Sequence, residues 1–271
     1  MQFIAQPNLP ENSVCLAVAG AETRNEAVAR LKKLGVEVLI MPAHGGLYKA
    51  VESHPDMQLH HIGGSRIIYA PSTDLSMLGI LSSYGFELIK GESMLSSSYP
   101  HDIPYNAARV GRLYFHNLRY TDRILREQLD RLGVEPIHVE QGYAKCSVLP
   151  VNENSIVTTD SGIAKAAEKK GLDVLFLENE RSIRLPGLNY GFIGGACSMI
   201  SKSVCAINGC LAKLSCSEAL TSFLSYKQIT VKELSEDYVT DIGSILPLST
   251  YNIEGCNNEL AKTGTNVKYV E

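Results

Sequence analysis

Short apolar runs alternate with amphipathic stretches along the chain, and one local pattern recurs four times. A helical stretch ends at a glycine, and an apolar strand with an acidic residue near its start follows at once. The copies lie at residues 34–39, 84–89, 132–137 and 170–175. Glycine suits a helix end because it adopts a left-handed conformation without a Cβ clash. The four glycines are 50, 48 and 38 residues apart, which indicates a structural repeat.

Each helical stretch is preceded by at least one apolar strand. The nearer strands are predicted at residues 14–18, 66–70, 112–115, 155–158 and 203–207. The fifth copy lacks the glycine and is predicted as a helix at 217–227 followed by a strand at 229–234. Further leading strands are predicted at 146–151 and 197–200, with shorter candidates at 63–64 and 107–110. The chain therefore predicts five strand-strand-helix-strand (ββαβ) units.

The ends of the chain favour closure of these units into a ring. Residues 241–248 read as an extra strand that would complete the first unit, which lacks a leading strand of its own. We expect residues 1–271 to form a single α/β domain, with 249–271 as a polar tail. The competing fold is an open doubly wound sheet, but residues 20–23 after the first long strand lack the glycine-rich nucleotide fingerprint.

Composition narrows the class of protein. The chain has 271 residues, of which 45% are hydrophobic and 20% are charged, so it can bury a substantial core. The net charge of −4 lacks the basic excess of a general nucleic-acid binder. No apolar run approaches the roughly 18 residues that span a bilayer, and the first ten residues do not resemble a secretory signal. Seven cysteines fit reduced thiols. We expect a soluble cytoplasmic protein without a nucleic-acid or membrane partner.

The fivefold ββαβ repetition, together with four short polar segments, resembles the guanidine-modifying enzyme superfamily, the pentein fold. The segments lie at residues 60–64, 105–109, 141–147 and 190–195, and they are similar to an uncharacterised branch related to arginine deiminases, dimethylarginine hydrolases and amidinotransferases. The resemblance implies a closed α/β propeller whose leading strands line a central pocket. It also implies a cysteine thiolate that attacks a guanidinium carbon, a histidine that handles protons, and carboxylates that hold the cation.

Two positions depart from the pattern that the resemblance implies. The family's nucleophilic cysteine belongs on the closing strand, where this chain has Asp241, Gly243 and Ser244. The family's histidine belongs on the leading strand of the fourth unit, where this chain has Lys145 and Cys146. The chemistry has therefore either moved around the ring or been lost.

Cys146 is the candidate nucleophile, because the positive charge of adjacent Lys145 would favour its thiolate. The competing interpretation is a buried structural thiol. Cys197 follows the same pattern in the fifth unit and is expected to be a core residue. His61, on a predicted strand, and His116, at the end of one, are candidates for the general acid-base. The competing interpretation for each is a hydrogen-bonded structural histidine.

The segment at residues 99–109 is polar, aromatic and stiffened by two prolines, which is typical of a ligand-contacting loop. Asp102 is predicted to pair with a guanidinium, Arg109 to grip a substrate carboxylate, and Asn106 to assist. An internal Asp–Arg salt bridge is the competing interpretation. Lys145 and Asp241 complete the predicted substrate-binding set.

These residues predict a hydrolase or amidinotransferase that acts on a small guanidino or amidino compound through the Cys146 thiolate. The alternative is a non-catalytic binding protein, either of the ribosome anti-association type found in the superfamily or a ligand sensor. We expect no cofactor and no metal, since Cys205, Cys210 and Cys216 lack paired short spacing. The sequence leaves open whether the chain forms a homodimer.

Overall fold

The computed structural model describes residues 1–252, which form five small sheets, one for each predicted unit. The first two units comprise β1 Gln2–Phe3, β2 Val14–Gly20, α1 Asn25–Lys33, β3 Glu37–Met41, α2 Pro55–Gln58, β4 Leu59–Gly63, β5 Arg66–Tyr69, α3 Leu75–Ser83 and β6 Glu87–Lys90. The third and fourth comprise β7 Ala108–Val110, β8 Leu113–His116, α4 Arg123–Arg131, β9 Glu135–His138, α5 Ala144–Ser147, β10 Val148–Asn152, β11 Ser155–Thr158, α6 Ser161–Lys169 and β12 Asp173–Phe176. The fifth comprises α7 Ile193–Ala196, β13 Cys197–Ser201, β14 Val204–Ile207, a 3₁₀ turn at Leu211–Lys213, α8 Ser217–Tyr226 and β15 Thr230–Glu233, and β16 Ile245–Thr250 follows it.

Every sheet has the same strand pairing. A leading strand pairs antiparallel with the middle strand, and the middle strand pairs parallel with the last strand. An antiparallel pair needs only a tight turn, whereas a parallel pair needs a crossover, which the long helix of each unit provides. The glycines predicted to end four of these helices all have positive φ, from 65° at Gly133 to 90° at Gly85. The recurring sequence pattern is therefore a recurring helix end.

The last strand completes the first sheet, as the sequence predicted. β16 pairs antiparallel with β2, with Ile245 opposite Ala19, so it takes the leading position in sheet 1. It runs to Thr250, two residues into the segment predicted as a tail, and residues 253–271 lie outside the described part of the chain.

Five clusters of buried apolar side chains close the units into a ring. Adjacent residues of a strand point to opposite faces, so each middle strand contributes to two clusters. The clusters contain Leu16 with Ile67, Ile68 with Tyr114, Phe115 with Ile156, Val157 with Cys205, and Ala206 with Ala17. Each cluster joins two neighbouring sheets, and the last one joins sheet 5 to sheet 1. The predicted closed ring of ββαβ units is confirmed, and the open doubly wound sheet is excluded.

Two leading strands differ from their predicted positions. The leading strand of unit 2 is Leu59–Gly63 rather than residues 63–64. In unit 4, residues predicted as the start of the strand form the helical turn α5, so the strand begins at Val148. The structure therefore aligns Val148, not Cys146, with Cys197 as the first residue of the strand.

The same short helical turn precedes the leading strand in units 2, 4 and 5, as α2, α5 and α7. The turns α2 and α5 bring polar side chains to the centre of the ring, and α7 brings backbone carbonyl groups there. None of the helices within residues 1–252 is long and apolar enough to cross a membrane.

Candidate functional site

All five units contribute to a polar cluster at the centre of the ring, which we call the hub. The hub comprises His54, Asp56, Asn106, Lys145, Cys146, Asp241 and Ser244, all of them buried, and the backbone of Gly194. Apart from Asn106, these residues lie on the short turns before leading strands or on the segment that enters β16. Asn106 lies just before β7, so the corresponding position of unit 3 also faces the hub.

Cys146 is fixed by hydrogen bonds from two other units. The Asn106 side-chain amide donates to Cys146 Sγ at 3.2 Å, and the thiol lies 3.2 Å from Asp56 Oδ2, to which it donates. Asn106 Oδ1 also accepts from the backbone N–H groups of Lys145 and Cys146, at 2.9 and 3.3 Å. One side chain therefore holds both the turn and the sulfur in place.

Lys145 Nζ points into the hub and donates to Ser244 Oγ at 2.6 Å and to Gly194 O at 3.3 Å. Ser244 Oγ also lies 2.6 Å from Gly194 O and 3.0 Å from Asp56 Oδ2. Ser244 has a φ of 72°, an unusual conformation for a residue with a side chain. Burial lowers the pKa of Lys145, and the negative charge of Asp56 partly opposes that shift.

His54 and Asp241 lie side by side in the hub. Asp241 accepts hydrogen bonds from the backbone N–H groups of Gly243 at 3.0 Å and Phe192 at 2.9 Å. His54 Nδ1 is 4.0 Å from Asp241 Oδ1, and neither ring nitrogen of His54 has a hydrogen-bond partner. Burial lowers the pKa of His54 and raises the pKa of Asp241 to about 6.

Close approach at this point requires glycine in unit 5. A Cβ on Gly195 would lie 1.9 Å from Asp241 Oδ1, and a Cβ on Gly194 would lie 2.1 Å from Val148 O. Because Gly194 and Gly195 have no side chains, the Asp241 carboxylate and the backbone of Val148 can pack directly against them.

The surroundings of Cys146 favour the protonated form of its thiol. Burial raises its pKa well above the ordinary value, and the negative charges of Asp56 and Asp241 raise it further. The charge of Lys145 alone was expected to lower the pKa of this thiol, so the net shift has the opposite direction. Burial also raises the pKa of Asp56, since desolvation outweighs the opposing charge of Lys145.

A cavity of about 230 Å³ opens onto the hub at His54, Cys146 and Asp241. Apolar and aromatic side chains form most of its walls, namely Tyr48, Val51, Tyr143, Leu185, Leu188, Tyr190 and Phe192, together with Asn189. The rings of Tyr143 and Phe192 stack with centroids 6.3 Å apart. A larger groove of about 530 Å³, bordered by Leu9 and Lys202, contains none of the hub residues. The smaller cavity is therefore the candidate site, because it alone of the two reaches the hub.

Asp102 supports the cavity from behind. Its Oδ2 accepts a hydrogen bond from the hydroxyl of Tyr143, which lies 3.4 Å from the hydroxyl of Tyr48. Tyr48 and Tyr143 line the cavity, whereas Asp102 does not. The predicted contact of Asp102 with a ligand is therefore replaced by a contact with an aromatic wall residue.

Arg109 points away from the cavity. It donates to Ile62 O at 2.7 Å and to Gly111 O at 3.3 Å, and burial lowers its pKa to about 10. Within residues 1–252 it forms no ion pair with Asp102, so neither predicted role of Arg109 matches its position.

The two histidines predicted as acid-base groups also lie outside the cavity. A ring nitrogen of His61 is 2.8 Å from Gly64 O, and His116 Nδ1 is 2.7 Å from Thr121 Oγ1. Burial lowers the pKa of each to about 4. His61 borders a separate cavity of about 20 Å³ on another side of the hub, together with Asp56 and Lys145. Cys197 packs in the cluster between sheets 4 and 5, as expected of a core thiol.

Of the predicted site residues, the structure brings together Cys146, Lys145, Asn106 and Asp241. Sequence reasoning missed His54 and Asp56, because the leading strand of unit 2 was placed several residues late. The repeat could have pointed to them, because residues 54–58 precede the leading strand β4 just as residues 143–147 precede the leading strand β10. Donor atoms of His54, Asp56 and Cys146 all lie within 4.8 Å of one another.

Solved structures with the same fold include enzymes that act on guanidino compounds. The inosamine-phosphate amidinotransferase of Streptomyces griseus matches at 11% identity and a TM-score of 0.60, over 93% of this chain and 98% of that one. Agmatine deiminase of C. jejuni matches at 10% and 0.57, over 92% and 97%. DDAH of Pseudomonas aeruginosa matches at 10% and 0.55, over 86% and 96%. All three belong to the pentein superfamily, so the predicted resemblance is confirmed at the level of the fold.

No curated protein matches this sequence. One family model does, and it extends over residues 18–246, from β2 to the beginning of β16, which includes every residue of the hub. The chain therefore belongs to a family of unknown function, DUF6873.

Proposed function

We propose that the hub cavity binds a small guanidino or amidino cation and that Cys146 attacks its central carbon. The observation that supports this most directly is the position of Cys146 Sγ. It borders the cavity, lies 3.2 Å from Asp56 Oδ2, and belongs to a group of donor atoms within 4.8 Å that includes the His54 ring. A nucleophile, a proton acceptor and a second proton carrier are therefore within reach of one bound carbon.

The cavity suits a planar cation. Asp241 supplies a carboxylate at its base, and Tyr143 and Phe192 present aromatic rings from the wall. Aromatic faces attract cations, and guanidinium and amidinium groups are flat enough to lie against them. Burial raises the pKa of Asp241 to about 6, and a bound cation favours its ionised form.

The proposed reaction begins when the cation opposes the carboxylate charges that raise the pKa of the Cys146 thiol. The thiol proton passes to Asp56, and the sulfur forms a bond to the amidino carbon while the C=N electron pair moves to nitrogen. The carbon–nitrogen bond to the leaving amine then breaks, and the proton returns through His54 to that amine. Water would release the amidino group from sulfur in a hydrolase, and a second amine would accept it in an amidinotransferase.

The charge of the cavity restricts the substrate. Among the described residues that line it, none is Lys or Arg, and Arg109 is occupied elsewhere. A ligand carboxylate would therefore meet Asp241 and apolar walls without a cationic partner. We propose a substrate without a carboxylate, such as an alkylguanidine or an amidine with an apolar or aromatic tail.

A ligand panel tests the proposal. Thermal shift and mass spectrometric assays of amine release should be run with agmatine, benzamidine, arginine and guanidinoacetate. We expect binding of the first two, weak binding of the carboxylates, and amine release that is lost in Cys146→Ser but retained in Cys210→Ser. Equal binding of arginine and agmatine would contradict only the proposal that the substrate lacks a carboxylate. If none of the four compounds binds, the proposed function itself is contradicted.

A binding protein without turnover is the second candidate. Two observations favour it. The segment that enters β16 has Ser244, buried beside Lys145, where the resemblance implies a nucleophilic cysteine. The pKa of the Cys146 thiol is also raised, which lowers its reactivity. This candidate predicts the same thermal shifts in wild type and in Cys146→Ser, with no amine release from either.

A further inference from the structure

Three side chains of different metal-binding types meet in the hub. A ring nitrogen of His54, a carboxylate oxygen of Asp56 and the sulfur of Cys146 all lie within 4.8 Å of one another. All three side chains are buried. The sequence predicted no metal site, and these residues form no short motif, since Asp56 and Cys146 are 90 positions apart.

Several atoms of this cluster have no hydrogen-bond partner. Both ring nitrogens of His54 and Oδ1 of Asp56 are buried and have no hydrogen-bond partner. His54 is only 1% exposed, so bulk solvent does not supply one. Buried polar atoms in folded proteins nearly always have a partner, and unpartnered ones call for an explanation such as a bound ion. The neighbouring carboxylate of Asp241, by contrast, accepts from two backbone N–H groups. Among the hub side chains, the unpartnered atoms therefore lie on His54 and Asp56, two of the three that could bind a metal.

We infer that His54, Asp56 and Cys146 bind a divalent cation of intermediate softness, Zn²⁺ by preference, with one nitrogen, one oxygen and one sulfur ligand. Hard cations such as Mg²⁺ and Ca²⁺ prefer oxygen ligands alone, whereas Zn²⁺ accepts all three donor types. Three protein ligands leave a fourth position open, and it faces the cavity because His54 and Cys146 both line it.

The geometry needs only a small adjustment. Tetrahedral Zn²⁺ ligands at about 2.0–2.3 Å from the metal lie roughly 3.3–3.8 Å from one another. Cys146 Sγ and Asp56 Oδ2 are already 3.2 Å apart, and the His54 ring is free of hydrogen bonds that would resist rotation. The amide of Asn106 donates to the sulfur and the hydroxyl of Ser244 lies beside Asp56, so these two contacts would orient the sulfur and carboxylate ligands.

The charges balance when the metal replaces the thiol proton. Thiolate and carboxylate together carry two negative charges, and the proton of Cys146 is released to solvent. This site does not depend on the proposed function, but a metal on the sulfur would remove the nucleophile. Zn²⁺ would therefore inhibit any thiol chemistry in the cavity.

Metal titration of the full-length chain tests the inference. After chelator treatment, the protein is titrated with Zn²⁺ against a chromophoric competitor and, separately, with Co²⁺. We expect one Zn²⁺ per chain and a Co²⁺–thiolate charge-transfer absorption. Cys146→Ser and His54→Gln should weaken binding by on the order of 100-fold or more, since loss of a direct ligand exceeds the cost of losing a supporting contact. Cys210→Ser, a matched cysteine variant outside the cluster, should bind as wild type does.

The cobalt spectrum of the unaltered chain gives a test that does not depend on the folding of a variant. Absence of the thiolate absorption, absence of stoichiometric Zn²⁺ binding, or undiminished binding by Cys146→Ser would each overturn the inference. Amidine binding in metal-free buffer is measured separately, so failure here leaves the proposed function standing.

Discussion

The reactivity of Cys146 depends on what lies beside it. In the free protein, burial and the charges of Asp56 and Asp241 hold its thiol protonated. A cation that enters the cavity opposes those charges and lowers the thiol pKa at the point where a nucleophile is needed. Under the proposed function, we expect this arrangement to protect the thiol from neutral electrophiles, because its pKa stays raised until a cation binds.

We expect Asp241 to give the proposed cation binding a pH dependence. Its pKa is raised to about 6, so the carboxyl group is neutral below that pH and ionised above it. Affinity for the tightest-binding amidine of the panel should therefore be constant above pH 7 and fall by up to about tenfold per pH unit below 6. Calorimetry from pH 5 to 8 measures this.

Asp241→Asn should bind more weakly and show a flatter pH profile. The exposed Asp237 pairs with Arg24 at the surface, so Asp237→Asn is the matched control and should retain the wild-type profile. An unchanged profile in Asp241→Asn would show that another group controls binding.

At the level of secondary structure, the short turns before the leading strands build the hub. The Asn106 side chain connects one such position to the next, since its oxygen accepts from Cys146 N and its amide donates to Cys146 Sγ. A buried N–H without a partner destabilises the folded state, so this side chain links stability to the site.

Asn106→Ala should lower the free energy of unfolding by about 2 kcal/mol, because it leaves the Cys146 N–H and sulfur without their partner. Urea unfolding measures the change. Asn25→Ala, which alters an exposed asparagine at the start of α1, should change it by less than about 0.5 kcal/mol. Equal effects of the two substitutions would contradict the structural role of Asn106.

The sequence predicted the repeat but not the full site. Helix-ending glycines such as Gly35 and Gly171 and apolar strands are local signals, so the ββαβ units could be located. The turn at residues 54–58 is short and has no helical periodicity, so the leading strand of unit 2 was misplaced and Asp56 was missed. The orientations of Arg109 and His116 depend on neighbouring units and could not be predicted from local pattern.

For the whole molecule, closure of the ring means that the stability of each interface between sheets depends on the neighbouring interfaces. β16 fills sheet 1 after the fifth unit, and Leu248 packs in the cluster between sheets 1 and 2. A repeat array without closure can unfold unit by unit, whereas a ring has no free end from which to begin.

Leu248→Ala should destabilise the protein by about 2–5 kcal/mol, as expected when a buried leucine is truncated. Fluorescence and circular dichroism should still report one coincident transition at the lower denaturant concentration. Leu75→Ala, at an 83% exposed position, should leave the transition in place. Separate transitions for the two probes would indicate that the units unfold independently.

The most direct test of the central claim compares two electrophiles that differ in charge. Chloroacetamidine is cationic and chloroacetamide is its neutral counterpart, and peptide mapping by mass spectrometry identifies the labelled cysteine. The account predicts that chloroacetamidine labels Cys146 much faster than chloroacetamide does, and that Asp241→Asn removes most of the difference. Equal rates for the two reagents, or labelling of other cysteines while Cys146 stays unmodified, would contradict it.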